Sequence, residues 1–119
     1  MTDITTIVDG YIAAWNEPDA ERRRALVADA FADDATFVDP LMTGEGIDGI
    51  TAMIGAAQQQ FPGHRFELSA GPDAHHDRVR FAWTMVGADD GTAVAAGVDF
   101  ATVGRDGRLQ GVTGFLEPV

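Results

Sequence analysis

Two runs of alternating apolar residues meet within residues 78–103, RVRFAWTMVGADDGTAVAAGVDFATV. In the first run every second residue from Val79 to Met85 is apolar, which is the period-two pattern of a β-strand. Asp89-Asp90-Gly91 separates the runs and favours a tight antiparallel hairpin. The second run is apolar on both faces. We therefore expect one face to pack on the core and the other, outer face to be covered by a second copy in a homodimer.

Strand-like runs also flank this hairpin on both sides. Residues 64–70 alternate before it and residues 109–117 alternate after it. Gly71-Pro72-Asp73 and Arg105-Asp106-Gly107 supply the intervening turn signals. Glycines inside the runs favour bends and bulges, so we expect one strongly curved, mostly antiparallel sheet.

The N-terminal half carries helical periodicity instead. Apolar spacing predicts helices over residues 4–15, 19–31 and 47–61, with a short strand at residues 35–39 and a glycine-containing loop after it. The three arginines Arg22–Arg24 are expected on the exposed face of the second helix. Three helices followed by a sheet indicate an α+β class, and the length favours a single domain spanning residues 1–119.

Composition argues against several kinds of partner and site. The 119 residues include 19 acidic and 8 basic side chains, no cysteine, and a formal net charge of −11. This charge disfavours nucleic acid and anionic membrane surfaces, and no apolar run approaches the ~20 residues of a transmembrane helix. Without cysteine, disulfides, thiolate metal sites and thiol nucleophiles are excluded. No targeting signal is recognised, so a cytoplasmic location is expected.

Three polar side chains stand out because their sequence neighbours are apolar. Asp99 lies within the second apolar run. Burial there would raise the pKa of its carboxyl and keep it protonated, whereas on a solvated strand face its pKa would stay at the ordinary value. Asp39 follows an apolar strand and could simply start a turn before Pro40. Tyr11, the only tyrosine, lies on the apolar stripe of the first helix, where a buried hydroxyl needs a partner.

Six large apolar side chains are candidates for lining a ligand cavity, although each could equally belong to the core. They are Trp15, Phe31, Met53, Phe61, Trp83 and Phe115. Histidines offer a competing metal site, with His64 at a cavity mouth. Adjacent His75 and His76 would point to opposite faces of a strand, however, and are expected in a turn. We therefore expect no metal ion and no organic cofactor.

Several of these segments resemble the nuclear transport factor 2-like superfamily, in particular its SnoaL-like polyketide cyclase and ketosteroid isomerase branch. The segments are YIAAWN at 11–16 with Asp19, FADDATFVDP at 31–40, Gly46 with the third helix, FPGHRF at 61–66, VDF at 98–100 and DGR at 106–108. They cover the chain from about residue 4 to residue 117. The resemblance implies a cone in which three helices and the curved sheet enclose an apolar cavity.

The resemblance also implies roles for three residues. In ketosteroid isomerases an aspartate of an Asp-Pro segment is the base, while a first-helix tyrosine and a protonated late-strand aspartate form the oxyanion hole. By motif, Asp39, Tyr11 and Asp99 fall on those positions. The sequence departs from the isomerases by a longer segment between Tyr11 and Asp39, and by Phe100-Ala101 where they have a histidine and an aromatic residue.

The function implied is cofactor-free acid/base chemistry on a small hydrophobic ketone, either isomerisation or aldol-type cyclisation. Other functions of the same fold remain open: a non-catalytic module for small-molecule binding or dimerisation, a histidine-dependent dehydratase resembling scytalone dehydratase, or an epoxide hydrolase. The hydrolase would need an arginine beside the aspartates, for which Arg78 and Arg80 are the candidates.

Overall fold

The computed structural model describes residues 3–119, which contain three helices and six strands. Met1 and Thr2, part of the expected domain 1–119, lie outside the described residues. The helices are α1 (Ile4–Asn16), α2 (Ala20–Ala30) and α3 (Gly46–Gln60), and the strands are β1 (Phe31–Val38), β2 (Thr43–Glu45), β3 (Arg65–His75), β4 (Arg78–Val86), β5 (Ala93–Val103) and β6 (Leu109–Glu117).

All six strands form one sheet in the order β2-β1-β6-β5-β4-β3. Neighbouring strands are antiparallel except β1 and β6, which run parallel. α2 and α3 contact β1, and α1 contacts β3, so the helices cover one face of the curved sheet. This confirms the predicted α+β class, with three helices packed on a mostly antiparallel sheet. None of the helices within residues 3–119 combines the length and hydropathy needed to span a bilayer.

Helix α1 carries the first part of the site. It begins after Asp3, whose side chain accepts a hydrogen bond from the Thr5 backbone N–H at 3.0 Å and so caps the helix. Its buried face includes Tyr11 and Trp15, which lie one helical turn apart and point toward the sheet. The apolar stripe read from the sequence is therefore the face that meets the core.

Helix α2 differs from the prediction in two ways. It ends before Phe31, which is the first residue of β1 rather than part of the helix. Arg23, expected on the exposed face, is only 8% exposed. Its Nη1 donates to the carbonyl oxygens of Glu17 at 2.9 Å and Pro18 at 3.3 Å, and to Gln58 Oε1 at 3.0 Å. The guanidinium thus ties the α1–α2 connection to α3, a long-range role that charge patterning does not reveal.

The strands extend beyond the turn signals that were expected to end them. Gly71-Pro72-Asp73, predicted as a turn, lies within β3, where the register against β4 shifts. Gly71 has φ +90, and a Cβ there would lie 2.9 Å from the Arg80 carbonyl oxygen, so glycine permits a bulge that keeps the strands paired. The chain reverses at His76 and Asp77 instead, and His75, also expected in the turn, ends β3.

The first two strands also differ from the prediction. Strand β1 begins at Phe31 rather than at Ala35, and the segment expected to be a loop before α3 contains β2. Strand β2 is short and pairs antiparallel with the end of β1. Its sequence, Thr43-Gly44-Glu45, carries no apolar alternation, so only the pairing with β1 identifies it as a strand.

The inner face of the sheet completes the core. Val79, Phe81 and Met85 of β4 are buried on one face, in agreement with the period-two pattern. On β5, Asp99 and Ala101 are buried while Phe100 is exposed. The two apolar faces of β5 therefore differ: one lies inside the domain and the other remains open on a single copy of the chain.

Candidate active site

An apolar cavity of about 120 Å³ lies between α1, the end of β1 and the inner face of the sheet. Of the described residues that line it, the ionisable ones are Tyr11, Asp39 and Asp99. The structure thus brings the three candidate catalytic side chains, which come from a helix, a strand end and a central strand, into one cavity. Nearly all the remaining lining residues are apolar.

The carboxyl group of Asp99 accepts hydrogen bonds at both oxygens. Asp99 is 2% exposed on the inner face of β5. The Tyr11 hydroxyl donates to Oδ2 at 2.7 Å, and the Trp83 indole Nε1–H donates to Oδ1 at 3.3 Å. The polar group is therefore compensated inside an apolar site, as buried polar groups must be.

Burial raises the pKa of Asp99 to about 6. The hydrogen bonds from Tyr11 and Trp83 oppose this rise because they favour the ionised carboxylate, and the negative charge of Asp39 adds to it. Burial, followed by the Asp99 charge, raises the pKa of Tyr11 well above its ordinary value. Tyr11 therefore stays protonated at neutral pH, whereas Asp99 changes protonation state close to it.

Asp39 follows β1 and closes a turn. Its Oδ1 accepts hydrogen bonds from the backbone N–H groups of Leu41 at 2.8 Å and Met42 at 2.9 Å. The structural explanation considered for this residue is thus correct, and it accounts for one of the two carboxylate oxygens. Within residues 3–119, Oδ2 accepts no hydrogen bond, and Asp39 borders the cavity.

Gly114 of β6 brings the two aspartates together. β6 lies between β1 and β5, and Gly114 pairs directly with Asp99. A Cβ at Gly114 would lie 2.8 Å from Asp99 Oδ1 and 3.1 Å from Asp39 Cβ. The absent side chain therefore leaves the space that both residues use. Sequence reasoning read this glycine only as a bend, although a glycine inside a strand also signals close approach of another group.

Four of the six predicted lining residues border the cavity, and two do not. Trp15, Phe61 and Trp83 line it, and Phe115 borders it although its ring packs against Phe100 on the outer face of the sheet. Phe31 is fully buried under α1, with its ring centroid 5.6 Å from that of Tyr11. Met53 packs over Gly44, where a Cβ would lie 3.1 Å from its Sδ. Neither Phe31 nor Met53 lines the cavity, because periodicity identifies a buried side chain without showing whether core or cavity surrounds it.

Two aromatic lining residues were missed. Phe37 and Phe66 pack against Trp15, with ring centroids 5.7 Å and 5.2 Å from its own, and Phe66 also contacts Trp83 at 5.2 Å. The alternation in β1 could have identified Phe37, which shares a face with Ala35. The position of Phe66 depends on how β3 meets α1, which the sequence does not show.

Trp15 contributes an unused hydrogen-bond donor. Its indole Nε1–H is buried and has no hydrogen-bond partner in the described part of the chain. An unpaired buried donor costs about 1–3 kcal/mol, so an acceptor atom on a ligand would find a favourable partner here.

The competing candidates lie away from the cavity. His64, His75 and His76 do not line it, and His64, expected at its mouth, contacts Phe61 from outside with ring centroids 5.9 Å apart. In the described range 3–119, no three His, Asp or Glu side chains are grouped as metal ligands. Arg78 and Arg80 also lie outside the cavity, and they pair with neighbouring aspartates.

Two comparisons place the chain among known proteins. A family model for the SnoaL-like domain matches residues 8–112. A SnoaL-like family protein from Agrobacterium tumefaciens, provisionally named an isomerase, is 50% identical, with a TM-score of 0.92 over 99% of this chain and 100% of its own. Among the curated proteins compared, none matches the sequence.

More distant structures share the fold alone. A Sinorhizobium meliloti protein, provisionally named a polyketide cyclase, is 20% identical with a TM-score of 0.70 over 92% of this chain and 93% of its own. A Jannaschia protein, provisionally named a SnoaL-like polyketide cyclase, is 18% identical with a TM-score of 0.72 over 98% and 90%. With a family match over most of its length and a relative at half identity, this chain belongs to the SnoaL-like family, within the nuclear transport factor 2-like fold.

Proposed function

We propose that this protein is a cofactor-free acid/base enzyme that moves a proton on a small hydrophobic ketone. The observation that carries the proposal is the convergence of Asp39, Tyr11 and Asp99 in one otherwise apolar cavity. Apolar walls strengthen electrostatic interactions with the reacting atoms and favour a hydrophobic ligand. The provisional names of the relatives, an isomerase and polyketide cyclases, support either isomerisation or aldol-type cyclisation.

Asp39 is the base in this proposal. Two backbone N–H groups hold Oδ1, which leaves Oδ2 free to take a proton from the carbon next to the ketone. The C–H electron pair becomes the carbon–carbon double bond of an enolate, and the carbonyl oxygen takes the negative charge. In isomerisation Asp39 returns the proton to another carbon. In cyclisation the enolate carbon attacks a second carbonyl, whose oxygen then takes the proton.

Donors beside the cavity stabilise the enolate oxygen. Asp99 donates a hydrogen bond in its protonated form, and Tyr11, which stays protonated, donates a second one when its hydroxyl turns from Asp99 Oδ2 to the substrate oxygen. The unpaired N–H of Trp15 is a further donor for an oxygen atom of the substrate. Apart from this turn of the Tyr11 hydroxyl, the donors are in place before negative charge develops on the substrate oxygen, which is how an oxyanion hole stabilises a transition state.

The pH dependence of turnover distinguishes two roles for Asp99. If Asp99 acts in its protonated form, kcat/KM falls as the pH rises through about 6. If its carboxylate is instead the base, kcat/KM rises through the same range. We expect the first result. A rise would transfer the role of base from Asp39 to Asp99 while leaving the reaction class unchanged.

The direct test is turnover of a one-ring β,γ-unsaturated ketone, followed by the absorbance of its conjugated isomer. We expect Asp39→Asn to lower kcat by roughly 10²–10⁴-fold, because the amide cannot accept the proton. The matched control is Asp89→Asn, an exposed change at a residue that does not line the cavity. Equal rates for wild type and Asp39→Asn would remove Asp39 from the role of base. Binding of such ketones without turnover would favour a non-catalytic binding module.

We also propose that the protein forms a homodimer through the outer face of the sheet. Phe100 and Phe115 are 47% and 51% exposed there, with ring centroids 5.9 Å apart. Val94 of β5 extends the same apolar surface. A patch of this kind on a small domain favours association with a complementary surface, and a second copy supplies one.

A further inference from the structure

The indole of Trp83 reaches Asp99 diagonally across two strands. Trp83 pairs with Gly97, and Asp99 pairs with Phe81, so the two side chains are diagonal neighbours on the inner face. Long aromatic side chains can contact such diagonal neighbours. The Trp83 Nε1–H donates to Asp99 Oδ1 at 3.3 Å. Trp83 therefore does more than line the cavity, because it also binds a candidate catalytic group.

Gly97 provides the surface on which this indole lies. A Cβ at Gly97 would lie 2.4 Å from Trp83 Cζ2 and 2.7 Å from Cε2. It would also lie 2.8 Å from the carbonyl oxygen of Phe115, so the backbone cannot move aside easily. On another side the ring of Phe66 packs edge-on, with centroids 5.2 Å apart. The absence of a side chain at Gly97 and the ring of Phe66 thus determine the orientation of the Trp83 indole.

The groups that act on the Asp99 carboxyl are few. Tyr11 on α1 and Trp83 on β4 donate hydrogen bonds, and Asp39 at the end of β1 adds negative charge. Within residues 3–119, Asp99 forms no salt bridge. The ionised carboxylate therefore depends on these two neutral donors, and the contribution of each donor can be separated by substitution.

We propose that Trp83, seated on Gly97, is a positioning residue that orients the Asp99 carboxyl and stabilises its ionised form. Its catalytic consequence rests on the proposed function, since it controls how much of Asp99 is protonated at a given pH. The contact itself does not depend on turnover. It can therefore be tested in the ligand-free protein.

The first test follows the titration of Asp99 by NMR in protein labelled with ¹³C-aspartate, using Asp99→Asn to assign its signal. Trp83→Phe removes the N–H and keeps an aromatic ring, so the pKa of Asp99 should rise by roughly one unit. The control is Asp89→Asn, an exposed change outside the cavity lining, which should leave this titration in place. An unchanged Asp99 titration in folded Trp83→Phe would overturn the proposal.

A second measurement needs no change at the site. The two indole N–H signals of the wild-type protein are assigned with Trp15→Phe and followed across pH. The Trp83 signal should shift with the same midpoint as the Asp99 carboxyl, because its hydrogen-bond acceptor gains a proton. A Trp83 signal that does not follow Asp99 would contradict the proposal even if Trp83→Phe fails to fold.

Kinetics connects the contact to the proposed reaction. If Asp99 acts in its protonated form, kcat/KM falls with rising pH. In Trp83→Phe the midpoint of this fall should move to higher pH by the same amount as the pKa of Asp99. A shifted titration without ketone turnover in any variant would leave the positioning role intact and contradict the proposed function. A shifted pH profile with an unshifted titration would contradict the positioning role alone.

Discussion

Asp99 and Phe100 are neighbours on β5 and lie in opposite environments. The carboxyl-bearing residue is 2% exposed, whereas the phenylalanine is 47% exposed. On the inner face the polar group is compensated by Tyr11 and Trp83. On the outer face, apolar side chains remain open on a single copy. The contrast shows that burial alone does not define a site. A buried polar group with hydrogen-bond partners indicates a candidate catalytic or binding site, while an exposed apolar patch indicates a surface for association.

Among the changes that test this contrast between the two faces, the largest effect is expected at Gly114, where the inner face has no side chain. Gly114→Ala places a methyl group against Asp99 Oδ1 and Asp39, so we expect ketone turnover to fall by about 100-fold, as for a misplaced catalytic group. The matched control on the same strand is Gly111→Ala, whose added Cβ would meet nothing nearer than 3.5 Å. Similar rates for both variants, with folding checked by circular dichroism, would show that the space at Gly114 is not required.

A second prediction concerns the stability cost of the buried carboxylate. Because burial raises the pKa of Asp99 from 3.8 to about 6, the folded state holds a proton that the unfolded state releases between these values. Its contribution to the free energy of unfolding therefore falls as pH rises through this window, by about 2–3 kcal/mol. Asp99→Asn can accept from Trp83 and donate to Tyr11, so it should be more stable than wild type at pH 7.5.

Denaturant unfolding at two pH values checks this prediction. The advantage of Asp99→Asn should shrink below pH 4, where both folded and unfolded wild type are protonated. Asp89→Asn, an exposed substitution, should change stability by less than about 0.5 kcal/mol at either pH. A wild type as stable as Asp99→Asn at pH 7.5 would mean that the hydrogen bonds fully offset the burial of the charge.

The smallest expected effect lies on the outer face. Phe100→Ser removes exposed apolar area from the proposed dimer surface, so the dimer dissociation constant should rise about tenfold, equivalent to about 1.4 kcal/mol. Val119→Ser, at an exposed position outside the strands, is the control and should leave the constant unchanged. A wild-type protein that is strictly monomeric by light scattering at micromolar concentration would refute the dimer itself.

Local pattern predicted the elements better than their ends. The stripe of α1, the hairpin of β4 and β5 and the helix α3 follow from periodicity and turn residues, which act over a few neighbouring positions. Phe31 and Gly71 were misassigned because strand pairing extended β1 and β3 through residues whose local signals favoured a helix and a turn. Arg23 was misassigned because its partners lie on other elements.

Some features of the candidate site could also be predicted from the sequence, and others depended on strand pairing. Sequence alone identified Tyr11, Asp39 and Asp99, since a polar residue among apolar neighbours is visible without a structure. The indole of Trp83 was expected to line a cavity, but its hydrogen bond to Asp99 depends on the register of β4 against β5. A glycine inside a strand signals close approach of another group, but the two aspartates that approach Gly114 could not be identified before β6 was known to lie between β1 and β5.

The sequence by itself determined where the three helices and most strands lie, which of their faces are apolar and which acidic residues have apolar neighbours. These properties depend on side-chain spacing and on the preferences of single residues. Only the tertiary structure decided that the three candidate side chains share one cavity and which face of β5 is buried. It also decided that Gly114 leaves space for the two aspartates and Gly97 for the Trp83 indole. The physical reason is that sheet order and register are set by contacts between residues far apart in the chain, where no local pattern reaches.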